Sequence, residues 1–209
     1  MSNQTVPARI RSEHIANAHL YADRFDMIKA LSTPVERVGE VGVALGIFSK
    51  HLIEHFSPKY FDAFDLFSSH EYKSVMGRNT KEVFGELSHV DYYQREIGAL
   101  DVDLTCHVGP SQTTLSQEPD RSFDVLYIDG DHRYDAVRQD ADNSVQKIKP
   151  GGLLIFNDYV MYDPKGAQRL GVVPVANDLI VHHGWRICGF ALQNLMFCDI
   201  ALRLPESPA

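Results

Sequence analysis

Four residues, Asp129-Gly130-Asp131-His132, follow directly on the apolar run Phe123-Asp124-Val125-Leu126-Tyr127-Ile128. A second apolar run, Gly152-Leu153-Leu154-Ile155-Phe156, ends in Asn157-Asp158. Runs of this kind read as buried strands, and in an open α/β sheet ligands bind outside the carboxyl ends of the strands. Two neighbouring strands that release acids and an amide at one edge suit a metal ion, a cationic ligand or acid–base chemistry. Asp129, Asn157 and Asp158 could give three oxygens to one ion, since adjacent strands lie about 4.8 Å apart; otherwise they face a cofactor or solvent. Strict alternation sends Asn157 and Asp158 to opposite faces, so both can ligate only where the chain has already turned. Asp131 could accept a proton from a reacting group or cap the helix that follows. His132 could be a base, a partner to another site residue or a substrate contact, against a plain structural hydrogen bond at the helix start.

The elements that must position these groups alternate strand and helix, which predicts an α/β fold with a mostly parallel sheet. Apolar residues Ile10, Ile15, Leu20, Phe25 and Ile28 predict a helix over 8–31, closed by Pro34. Strands are expected at 35–41, 60–66, 104–108 and 123–129, with a fifth from Gly152. Helices are expected at 46–56, 80–100, 111–115, 134–148 and 174–183, with Val137, Ala141, Val145 and Ile148 on one buried face. Residues 158–171 read as a polar loop able to cover a site. The final runs, 185–192 and 196–204, are joined too tightly for a parallel crossover and so form an antiparallel hairpin. The expected whole is a single domain over 1–209: a helical extension at 1–34 and a doubly wound, Rossmann-like core at 35–204 with seven strands, helices on both faces and an antiparallel C-terminal hairpin.

Between the first core strand and its helix lies Glu40-Val41-Gly42-Val43-Ala44-Leu45-Gly46-Ile47-Phe48-Ser49. Gly42 and Gly46 would let the backbone approach a ligand, although a plain strand–helix turn explains them as well. The dinucleotide fingerprint is absent, because position 44 is Ala and the third glycine is missing. Asp65 ends the next strand at the spacing from Gly42 where mononucleotide-binding halves carry a ribose-binding acid. Gly109-Pro110-Ser111, after the third core strand, forms a tight turn that could flank a purine.

The chain has 209 residues, 28 acidic against 20 basic, and a formal net charge of −8. That balance disfavours a nucleic-acid partner, whose affinity comes from clustered Lys and Arg. The start of the chain lacks the charged-then-apolar pattern of a signal peptide, and no apolar stretch is long enough for a membrane span. Cys106, Cys188 and Cys198 have no metal-type spacing; Cys106 and Cys198 sit inside strand-like runs and read as buried structural thiols, and a reduced setting is expected. A cytoplasmic protein with a small-molecule partner is expected.

Taken together, these residues resemble the class I S-adenosylmethionine-dependent methyltransferases over roughly residues 35–204. The features that carry the likeness recur in order: Glu40 to Gly46, Asp65, the turn at 109–111, the strand ending in Asp129, Lys149-Pro150-Gly151-Gly152, and the closing hairpin. "IDGDHRYDAV" followed by "IKPGGLLIFNDY" is similar to the branch of macrocin-type sugar O-methyltransferases. The resemblance implies S-adenosylmethionine as cofactor, with Glu40 and Gly42 at its methionine end, Gly46 and Ser49 in the same binding turn, Asp65 on the ribose, Gly109 and Ser111 beside the adenine, and Asp129 facing it. It also implies Mg²⁺ held by Asp129, Asn157 and Asp158, with Asp131 as general base; Asn157 stands where relatives carry an acid, which lowers the charge of the site. The expected reaction is methyl transfer to a hydroxyl of a sugar or other small metabolite. Metal-independent transfer, a non-catalytic cofactor-binding protein and a nucleotide-dependent oxidoreductase are the alternatives. The N-terminal helix offers an interface for self-association.

Overall fold

A computed structural model describes residues 6–31 and 34–206. Along the chain run β1 (His19–Tyr21), α1 (Arg24–Ala30), β2 (Arg37–Val41), α2 (Ile47–Phe56), β3 (Tyr60–Asp65), α3 (Thr80–Phe84), α4 (His89–Ile97), β4 (Asp103–Val108) and α5 (Ser111–Thr114). Then follow β5 (Phe123–Ile128), α6 (Tyr134–Lys147), β6 (Ile148–Phe156), α7 (Val172–His182), β7 (Arg186–Ala191) and β8 (Asp199–Arg203). The eight strands form one sheet in the order β1-β7-β8-β6-β5-β2-β3-β4. Strands β2 to β6 pair in parallel, and β8 runs antiparallel to both of its neighbours. The chain winds outward from β2 through β3 to β4, then returns to β5 on the other side of β2. That reversal opens a crevice between the carboxyl ends of β2 and β5.

Side chains alternate across the sheet, as a strand period of two requires. In β5 and β6, Leu126, Ile128, Leu154 and Phe156 enter one apolar layer with Val137 and Ala141 of α6 and Val175 and Leu179 of α7. Val125, Tyr127, Leu153 and Ile155 enter the opposite layer with Ile28, Leu52 and Tyr93 from α1, α2 and α4. Among the described residues, no helix is long and apolar enough to cross a membrane.

The structure departs from the sequence expectation at the N-terminal segment and at residues 80–100. Residues 8–31 do not form one helix: a 3₁₀ turn, Ser12–Ile15, and strand β1 precede a short α1. The apolar residues Ile10, Ile15, Leu20 and Phe25 are spaced by five, which turns successive side chains by about 140° on a helix and gives no single face. Ile15 and Leu20 are accordingly exposed, whereas Ile28 is buried. Asp23 restarts the helix by accepting from Asp26 N at 2.9 Å. β1 pairs with β7 and makes eight strands rather than seven, so the helical interface expected for self-association is replaced by a short edge strand. The expected helix at 80–100 is broken at Gly85, with φ of 60°, and Ser88 caps a second helix through Asp91 N.

Candidate active site

The crevice at the reversal is a cleft of about 700 Å³ whose walls include Gly42, Asp65, Gly109, Ser111, Asp129 and Asp131. Six residues expected at a site thus meet in one space. Gly42 has φ of 84°, and a Cβ there would lie 2.1 Å from the Asp129 carbonyl oxygen. Glycine is therefore required by the close approach of the two strand ends as well as by backbone conformation. Asp65 shapes the same turn: its Oδ2 accepts from Val43 N at 3.0 Å and Ala44 N at 3.3 Å, and its Oδ1 from Phe67 N at 2.8 Å. The carboxylate still lines the cleft and keeps acceptor capacity toward it.

Glu40, Gly46 and Ser49 lie behind this wall. Glu40 is 1% exposed, and burial pushes its carboxyl up to about 8. Ser49 Oγ donates to Glu40 Oε2 at 2.5 Å and in turn accepts from Tyr93 Oη at 2.8 Å. Gly46, with φ of 75°, lets α2 start against α4, where a Cβ would meet Tyr93 at 3.0 Å. Gly46 and Ser49 are fixed by packing behind the cleft, and neither lines it.

Beyond Asp129 the sheet edge carries a cluster of acids around one imidazole. His132 Nε2 lies 3.7 Å from Asp129 Oδ1 and 3.7 Å from Asp158 Oδ2, and it is buried without a hydrogen-bond partner. Asp158 reaches this centre because the chain has turned, with φ of 53°. Asn157 does not join it: the residue is buried, and its Nδ2 donates to Asp199 Oδ1 at 3.1 Å. Burial holds the carboxyls of Asp129 and Asp158 above their usual range; the nearby Asp158 charge adds to the effect at Asp129, while His132 and Arg24 oppose it at Asp158.

Two residues that sequence reasoning missed complete the cluster. Arg24 of α1 donates from Nη1 to Tyr127 Oη at 3.1 Å, approaches Asp129 Oδ2 at 3.8 Å and lies over the Phe48 ring at 4.5 Å. Asp199, wholly buried in β8, accepts from Tyr127 Oη, Asn157 Nδ2 and Gln193 Nε2. An acid inside the apolar run Cys198-Asp199-Ile200 was the available signal for Asp199. Arg24 had none, because it falls in the segment expected to be a continuous helix.

Asp131 lines the cleft, but both of its oxygens accept from the Arg133 guanidinium, and Oδ1 also accepts from Arg133 N at 2.9 Å. Those bonds hold its carboxyl below the usual range, which weakens it as a base. It forms a turn ahead of α6, whose N-cap position is Arg133.

The Mg²⁺ set expected from Asp129, Asn157 and Asp158 is not assembled: Asn157 is committed to Asp199, and Asp129, His132 and Asp158 do not bring one donor atom each to within 4.8 Å of one another. A tighter set, Asp62, His107 and Glu118, lies under β3 and β4. There Arg37 already supplies the cation, at 2.7 Å from Asp62 Oδ2 and 2.6 Å from Glu118 Oε2.

A sequence family described as a methyltransferase domain matches residues 39–159, which span the Gly42 turn, Asp65, the turn at 109–111 and the Asp129 and Asp158 edges. No curated protein matches the chain. The N-methyltransferase NodS from Bradyrhizobium japonicum WM9 superposes with a TM-score of 0.55 at 18% identity, covering 88% of this chain and 93% of that one. Its complex with S-adenosyl-L-homocysteine gives a TM-score of 0.56 at 17% identity, with 88% and 85% covered. An O-methyltransferase family protein from Burkholderia thailandensis gives 0.56 at 12% identity, with 88% of this chain and 55% of that one covered. At these identities the structures speak for the fold, and the family match over more than half of the sequence supplies the rest: the chain belongs to the class I S-adenosylmethionine-dependent methyltransferases.

Proposed function

We propose that this enzyme transfers the methyl group of S-adenosylmethionine to a hydroxyl of a small metabolite, sugars included, with His132 taking the hydroxyl proton. The observation that carries this reading is the convergence of Asp129 and Asp158 on His132 Nε2, 3.7 Å from each, beside the cleft. The cofactor supplies a methyl group on a positively charged sulfur. Gly42, Asp65, Gly109 and Ser111, which line the cleft, are the residues assigned to hold it, with Glu40 behind the Gly42 turn. In the transfer the acceptor oxygen bonds to the methyl carbon as the carbon–sulfur bond breaks, and sulfur keeps the electron pair. An alcohol attacks effectively only as its proton leaves, and imidazole is the side chain best matched to that task near neutral pH. Asp131, held by Arg133, instead shapes the start of α6.

If a divalent ion is required, it would be held by the Asp129 or Asp158 carboxylate with His132 left free as the base, and it would lower the pKa of an acceptor hydroxyl and orient it. A metal-independent route is favoured by Arg24, which already brings positive charge to 3.8 Å from Asp129. The test is S-adenosylhomocysteine release across a panel of hydroxylated metabolites, with and without chelator. His132→Ala should slow turnover by roughly 10²–10⁴-fold and spare S-adenosylhomocysteine affinity, whereas Asp131→Asn should change turnover little. The reverse ranking would reassign the base to Asp131. Turnover that survives exhaustive chelation selects the route without an ion.

A further inference from the structure

Behind the turn at 109–111 lies an acid with no role in the chemistry above. Asp140 of α6 is 1% exposed. Its Oδ1 accepts the hydroxyl proton of Ser111 at 2.7 Å. Its Oδ2 is buried without a partner, 3.8 Å from the point where a Cβ on Gly130 would stand. Ser111 and Gly130 both line the cleft, as do Ala136 and Gln139 from the same helix. Asn143, one turn further on, donates to the Gln112 carbonyl at 2.9 Å, so α6 grips this turn twice. Burial pushes the Asp140 carboxyl up to about 6, with the Asp131 charge adding to the effect, so it is ionised at pH 7.5. A buried carboxylate with more acceptor capacity than its protein donors fill is costly, and such groups concentrate where a ligand uses them.

Resting on the assignment of this cleft to the sulfonium cofactor, we propose that Asp140 is a positioning residue that sets purine specificity through Ser111. By capturing the Ser111 hydroxyl proton it leaves Ser111 Oγ with lone pairs only toward the cleft. A hydroxyl in that state accepts from an exocyclic amine and repels a ring carbonyl. The subsite therefore takes a 6-amino purine and rejects its 6-oxo counterpart. Asn at position 140 can donate to Ser111, which frees the hydroxyl proton to point into the cleft and removes the discrimination.

The experiment is calorimetric titration of the full chain with S-adenosylhomocysteine and with S-inosylhomocysteine, its deaminated counterpart. At pH 7.5 the parent should bind the amino form at least about tenfold more tightly. Asp140→Asn and Ser111→Ala should each bring the ratio to within about threefold, through weaker binding of the amino form. Ser111→Ala changes an accessible turn and keeps the test alive if the buried substitution does not fold. The parent's ratio should also shrink as pH falls from 7.5 to 5, because a protonated Asp140 can donate to Ser111; a packing role would leave the ratio fixed. Retention of the parental ratio in both variants, or equal binding of the two ligands by the parent, overturns the proposal alone. Absence of binding to either ligand overturns the cofactor assignment with it.

Discussion

Glu40 is an acid whose charge state is set by its surroundings. With burial pushing it to about 8, it holds its proton at neutral pH and so can sit 1% exposed against Ser49. A folded pKa above the unfolded one means that its contribution to stability is full below about pH 4.5 and is lost as pH rises through about 8. Glu40→Gln mimics the protonated form and should match the parent at pH 4.5, then gain on it by about 3–5 kcal/mol toward pH 9 in urea unfolding. A constant gap across that range would mean that Glu40 is already ionised in the fold. Arg24 provides the complementary case, a cation set among Tyr127, Asp129 and Asp199. Arg24→Ala leaves those acids uncompensated and should cost about 2 kcal/mol, less than a fully buried pair would because the side chain is 27% exposed. Urea unfolding of that variant within a few tenths of the parent would rule out such a role. Asp65, Asp129 and the Gly42 turn were legible because each sits at a fixed offset from an apolar strand. Arg24 was not, because its partners come from β5 and β8, far away in sequence. Asn157 was assigned to the ion for the same reason, because its partner Asp199 lies 42 residues away, whereas Asp131 is held by the nearby Arg133, in line with the turn or cap reading and not with a free base.

At the scale of elements, positions where two chain segments must touch tolerate the least. Gly42→Ala puts a Cβ 2.1 Å from the Asp129 carbonyl and a side chain at positive φ, so it should destabilise by roughly 3 kcal/mol or more. Gly77→Ala shares the positive φ but meets nothing within 4 Å, and should cost only about 1 kcal/mol. Similar losses at the two positions in thermal unfolding would show that conformation, and not the approach of β2 to β5, explains Gly42. The parallel core was readable because β5 and β6 are nearly unbroken apolar runs buried on both faces. The N-terminal segment was not, since a three-residue strand gains its stability from the edge of β7 and leaves almost no local pattern. The break at Gly85 was marked in sequence by glycine and by Ser88 three residues before Asp91, a capping arrangement that the apolar spacing of 83–87 obscured.

For the molecule as a whole, the sheet carries the cleft proposed for the cofactor at its reversal and the acid–imidazole cluster beside it, with α1 closing the cluster through Arg24. The β1 edge strand covers one side of β7, and removing residues 1–22 would leave that side unpaired. Such a truncation should raise the apparent mass in light scattering above that of the full chain at equal concentration; unchanged mass would show that β1 does not protect the edge. Saturation with S-adenosylhomocysteine at about 100 times its Kd should stabilise the fold by about 2.7 kcal/mol. The location of that binding is the most direct test of the account. Hydrogen exchange of the full chain, with and without S-adenosylhomocysteine, should show added protection at residues 41–45, 65–69, 109–112 and 129–131, the segments that line the cleft. Protection confined to the second cavity, between Asp120, Ile148 and Leu204, or no change at any of the four segments, would contradict it.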